Sequence, residues 1–179
     1  MNNGLSIIKE ITLYAILSSI LFVQEQLLAF LPNIQLTFFL IILYSKVLKL
    51  RGTLLIVTIH VLLDNLLNGS LSVLTTIPMF IGYIQIPLII QIFFKNAKKP
   101  LFLASYGVLA SIIYSISFLI TNWLILPINI VSYIIADIPF TLTLCISSFI
   151  SILLLYKPLY KVLNNLLIKY KIQKSNLEN

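Results

Sequence analysis

The sequence predicts an all-α integral membrane protein, a bundle of six transmembrane helices with both termini in the cytoplasm. Three observations carry that prediction. The chain of 179 residues is 60% hydrophobic and only 9% charged, where a soluble domain carries about a quarter charged residues. Its apolar residues fall into long runs without strict alternation, and a helix of roughly 20 apolar residues crosses about 30 Å of hydrocarbon. Its lysines and arginine lie in alternate breaks between those runs. The +7 charge does not form the single basic patch that nucleic acid requires, so no nucleic-acid partner is expected.

The first span covers about Ile8 to Leu31. It is read as a retained helix rather than a signal peptide: Lys9 is followed at once by Glu10, and no small-x-small cleavage site follows the run. Pro32-Asn33 is a turn signal. The second span, about Gln35 to Leu48, and the third, about Thr53 to Leu67, are short. At 1.5 Å per residue a run of 14 residues reaches only ~21 Å, so these spans need shelter from neighbours or a locally thinned bilayer. Short paired spans are also how transporter folds form a cavity from one side, here a ligand cavity facing outward.

Asn68-Gly-Ser70 closes the third span. The fourth runs from about Leu71 to Phe94 and contains Pro78, Gly82 and Pro87, which kink a helix and free carbonyls that protein or a cavity must satisfy. A polar break from Asn96 to Pro100 precedes the fifth span, about Leu101 to Trp123. The sixth runs from about Ile138 to Tyr156, with Pro139 in its first turn and Asp137 as its cap. From about 158 an amphipathic interfacial helix is expected, so that residues 1–172 form one transmembrane domain and 173–179 a frayed tail.

Orientation follows from charge. Lys9 precedes span one; Lys46, Lys49 and Arg51 lie between spans two and three; Lys95, Lys98 and Lys99 between four and five; Lys157, Lys161, Lys169, Lys171 and Lys174 after six. The remaining connections contain neither Lys nor Arg. The positive-inside rule places both termini in the cytoplasm and requires an even number of spans.

Polar residues at the other ends of the spans are the candidate site. His60 and Asp64 stand four apart on one face of span three. Intramembrane ionisable groups face a bundle interior or water. Asp64, with Asn65 and Asn68, either lines an outer cavity or pins helix three to a neighbour; His60, without a partner set for metal or catalysis, reads as structural. Gln24, Glu25 and Gln26 form either a ligand-contacting rim or a solvated helix end, and at least one must be the latter, since consecutive residues point in different directions. Asn33 and Gln35 either bond a ligand or hold the turn. Asn122, Trp123, Asn129, Tyr133 and Asp137 surround the last outer connection, as interfacial anchors or as the aromatic and polar wall of a pocket, which Tyr83 and Gln85 on span four could share. Ala15 and Ser19 make a small-xxx-small face that packs against another helix, of this chain or of a partner. Cys145 has no second cysteine to pair with. No phosphate loop, metal spacing or nucleophile–base set is present, so neither enzyme activity nor a cofactor is expected.

Three stretches carry a resemblance: Tyr14-Ala15 through Ser19, Leu31-Pro-Asn-Ile-Gln-Leu-Thr37, and His60-Val-Leu-Leu-Asp-Asn65 with Gly69-Ser70. With the length and span count, they make the chain similar to the S component of an energy-coupling factor (ECF) transporter. In that family the first helix often carries Ala-xxx-Ala; here Ala15 matches and Ser19 replaces the second alanine. The resemblance implies a membrane-embedded subunit that binds a vitamin-like small molecule at the outer face with high affinity, under a roof of outer loops. It implies transport with a membrane coupling subunit and two cytoplasmic ATPases, the S component hydrolysing nothing. Cobalamin, folate, riboflavin, pantothenate and queuosine-type precursors are all candidate ligands. A proton-coupled carrier using His60 and Asp64, and a ligand-free membrane scaffold, are the rival readings.

Overall fold

The structure, a computed structural model, describes residues 2–68, 71–97 and 99–169. The frayed tail expected at 173–179 lies outside the described residues, as do Lys98, Lys171, Lys174 and Gly69-Ser70. The described chain is all helical: α1 (Asn2–Leu28), α2 (Thr37–Val47), α3 (Leu50–Leu67), α4 (Val73–Phe93), α5 (Pro100–Ile125) and α6 (Ile130–Lys169). Five of them are long and apolar enough to cross a membrane. The chain is therefore a multi-pass membrane protein in type. Its outer faces carry large exposed apolar side chains, among them Ile11, Ile20, Leu109, Ile120, Ile146 and Leu154. In water such a surface is a liability; against lipid it is the required solvent contact.

The exception is α2. Its 11 residues reach only ~16 Å. It lies inside the bundle, in contact with every other helix, and each of its residues except Lys46 is buried. Its neighbours shelter it, which is one of the two ways in which so short a segment was expected to be accommodated. The third span is longer than the sequence suggested, 18 residues beginning at Leu50, and needs no such help. The core is built on α2: Phe38, Phe39, Ile41 and Ile42 pack with Leu21, Ile56, Ile86, Ile90, Leu103 and Ile152, all essentially inaccessible.

The ends of α2 are held by side chains from elsewhere. The α2 N-terminus has no cap of its own. Gln24 of α1 supplies one, accepting from the Leu36 N–H at 2.9 Å and donating to Thr37 Oγ1 at 2.8 Å. At its C-terminal end Gln91 of α4 donates to the carbonyls of Ser45, in the last turn, and Leu48, the C-cap, at 3.2 and 3.1 Å. Lys46 Nζ in turn donates to the carbonyls of Phe94 and Lys95, at 2.9 and 2.6 Å, closing the end of α4.

Helix α6 differs most from expectation. It begins at Ile130, not near Ile138, and runs 40 residues, ~60 Å. Asn129 stands where Asp137 was expected as cap: its Oδ1 accepts from the Ser132 N–H at 3.0 Å. Pro139 is thus inside the helix, as is Pro158. The segment expected as a separate interfacial helix from about 158 continues α6 as far as Lys169.

The helix directions sort the charges. The described lysines and Arg51 lie at or beyond one end of the bundle, where α1 starts, α2 meets α3, α4 meets α5 and α6 finishes. Glu25, Asp64 and Asp137 lie toward the other end.

Candidate functional site

At the lysine-free end, the connection from Ala29 to Leu36 crosses the bundle mouth. Its turn is tied by Leu31 N–H to Leu28 C=O at 2.8 Å and Ile34 N–H to Leu31 C=O at 3.2 Å. Asn33 adopts a positive φ of 57°, the left-handed conformation that Asn tolerates better than other non-glycine residues. Gln35 fastens the loop to α6: its backbone N–H donates to Ser147 Oγ at 3.1 Å and its carbonyl accepts from that hydroxyl at 2.9 Å. The loop is therefore anchored across 112 positions of sequence.

Two adjoining recesses lie against it. The first, of about 300 Å³, is lined by Glu25 and Gln26 of α1, by the loop including Asn33 and Gln35, by Asp64 and Asn68, and by Tyr114 of α5. The second, of about 260 Å³, lies between α5 and α6, lined by Ser115, Phe118, Tyr133, Asp137, Phe140 and Thr141 among others. Asn33 and Tyr114 line both. A further apolar cleft of about 280 Å³ continues between α5 and α6 from Ser115, Tyr133 and Asp137.

The polar groups are mutually positioned. Asp64, 9% exposed, accepts from Gln26 Nε2 at 3.0 Å and from Asn68 Nδ2 at 3.1 Å. Glu25 Oε2 stands 2.9 Å from His60 Nε2, an ion pair when the imidazole is protonated, although the angle at the ring nitrogen is not that of a hydrogen bond. Thr37 Oγ1 donates to Gln35 Oε1 at 2.9 Å and lies 3.4 Å from Glu25. Asp137 accepts from Thr141 at 2.7 Å and from Ser115. Asn65 turns away: it donates to Val61 C=O and accepts from Thr75 and Thr76, tying α3 to α4.

Aromatic rings form the wall between the recesses and the core. Tyr114 packs on Tyr83 with ring centroids 4.8 Å apart, on Phe118 at 5.0 Å and edge-on to Phe38 at 5.6 Å. Tyr83 also meets His60 at 5.6 Å. Such offset and edge-on pairs hold their rings in place.

The structure thus brings together Asn33, Gln35, Asp64, Asn68, Tyr133 and Asp137 of the residues the sequence nominated. It places the others elsewhere. Tyr83 is fully buried behind Tyr114. Gln85 faces α5, accepting from the Tyr106 hydroxyl at 3.0 Å. Trp123 is 53% exposed on the outside of α5, and Asn129 caps α6. None of the three helix-end residues of α1 is a solvated terminus: Gln24 serves α2, Glu25 meets His60 and Gln26 meets Asp64. His60 therefore has a carboxylate neighbour that spacing along α3 could not reveal. Tyr114, Ser115 and Thr141 were missed, because nothing in their local runs separates a cavity wall from a core helix. Ala15 and Ser19 are exposed on α1, the Ser19 hydroxyl donating back to Ala15 C=O at 2.9 Å, so the small-residue face does not pack within the chain.

No protein-family model, no curated protein and no solved structure matches the chain.

Proposed function

We propose that this chain is the substrate-binding S component of an ECF-type transporter, a six-span subunit of the cell membrane with both termini cytoplasmic. It captures a vitamin-like small molecule at the outer face for uptake driven by a membrane coupling subunit and two ATPases. The observation that carries the reading is the pair of adjoining recesses, roofed by an anchored loop, at the end of the bundle opposite the described lysines. By the positive-inside rule that end faces outward. Small-molecule sites are concave, with apolar walls and directed polar groups; here the second recess supplies aromatic walls and the first is lined mainly by polar side chains. The exposed Ala15 and Ser19 offer a close-approach surface for a partner helix. The open recesses weigh against a ligand-free scaffold.

The test is to purify the chain with an ECF coupling module and identify bound small molecules by mass spectrometry. A stable complex that carries a stoichiometric organic molecule is expected. A chain that neither joins such a module nor retains a molecule refutes the reading. The contact between Glu25 and His60, with Asp64 one turn on, favours a second reading as a proton-coupled carrier. That reading requires uptake driven by a pH gradient without ATPases, and loss of uptake but not of binding in Asp64→Asn.

A further inference from the structure

We infer that the ligand of these recesses is cationic, a protonated amine or a positively charged heteroaromatic ring. The inference rests on the binding role proposed above and adds the ligand's charge. The whole chain has five acidic residues, Glu10, Glu25, Asp64, Asp137 and Glu178. Glu25, Asp64 and Asp137, from three different helices, line the two recesses, and among the described lining residues there is neither lysine nor arginine. A carboxylate at this depth is expensive unless something compensates its charge. Hydrogen bonds here fix position without supplying charge: amides serve Asp64, and hydroxyls serve Asp137. Among the described residues the one basic side chain near them is His60, 2.9 Å from Glu25 and within electrostatic range of Asp64, a single imidazole against two carboxylates.

The walls point the same way. Tyr114, Phe118, Tyr133 and Phe140 line the second recess around Asp137. The negative faces of aromatic rings attract a cation, more strongly where water is excluded, and repel an anion. Carboxylates and aromatic rings thus both favour positive charge in the recesses they line.

The experiment uses the full chain in nanodiscs of uncharged lipid and three probes of similar shape: benzyltrimethylammonium, benzyl alcohol and benzoate. Saturation-transfer NMR measures each dissociation constant, with lipid-only discs subtracting partition. Benzyltrimethylammonium is expected to bind at least about tenfold tighter than benzoate or benzyl alcohol, and Asp64→Asn and Asp137→Asn each to weaken it by about tenfold, the loss of one partly buried charge contact. Circular dichroism melting verifies that the isosteric variants fold. Benzoate bound as tightly as the cation, or cation binding that both variants leave unchanged, overturns the inference while a co-purified molecule keeps the binding role standing. No saturable binding of any probe also overturns it, and reaches the binding role only if no molecule co-purifies.

Discussion

Gly82→Ala tests whether the wall of the site is as tightly set as it looks. A Cβ built on Gly82 would lie 2.5 Å from Tyr114 Cδ2, 3.1 Å from its Cγ and 3.0 Å from its Cα. Carbon atoms pack at about 3.5–4.0 Å, so the ring edge must retreat by roughly 1 Å and the α5 backbone by roughly half that. The ring cannot yield inward, because Tyr83, Phe118 and Phe38 hold it. Its remaining direction is into the recesses it lines. Overpacking of this kind costs about 1–3 kcal/mol. Gly82→Ala is therefore expected to lower unfolding stability in a fixed detergent by that amount and to reduce ligand retained on purification. Tyr114→Leu removes the ring-edge clash but not the backbone one, so the double variant should be more stable than the sum of the two losses by at least about 0.5 kcal/mol. Unchanged stability in Gly82→Ala, or strictly additive losses, refutes the packing argument.

Asn33 separates turn from ligand contact. Asn33→Gly keeps the positive φ and should leave thermal stability intact, whereas Asn33→Val forces a β-branched residue into the left-handed region at about 1–2 kcal/mol; equal melting of the two variants contradicts the turn role, and a loss of retained ligand in Asn33→Gly alone identifies the amide as a contact. Gln91→Leu uncaps the carbonyls of Ser45 and Leu48 and should cost about 0.5–1.5 kcal/mol, read as a lowered unfolding midpoint, with no change meaning that α2 is held by packing alone. Ala15→Trp and Ser19→Leu, on an exposed face, should leave folding and ligand retention unchanged but abolish co-purification with the coupling module. Loss of ligand with the complex intact would contradict that assignment.

Residue type and order alone determined the membrane class, the helical content and the approximate positions of the breaks. Those depend on local transfer free energy: an apolar run of sufficient length is driven from water wherever it lies, and Pro32-Asn33 or the lysine clusters interrupt it whatever surrounds them. The start of α6 was harder to read, since Pro139 is as compatible with a first turn as with an interior one. Lateral relations were decided only in the tertiary structure. Gln24, Glu25 and Gln26 are consecutive, yet each has a partner, because α2 and α3 flank the end of α1. Tyr114 and Gln85 both sit on apolar helices, and only the rotation of α4 and α5 sends one to the cavity and the other to Tyr106. Helix rotation follows from packing summed over all neighbours, such as Gly82 against Tyr114, and no stretch of one helix contains that sum. The polar residues could thus be named from the chain, whereas the convergence of Glu25, Asp64 and Asp137 on two adjoining recesses depended on how the helices pack.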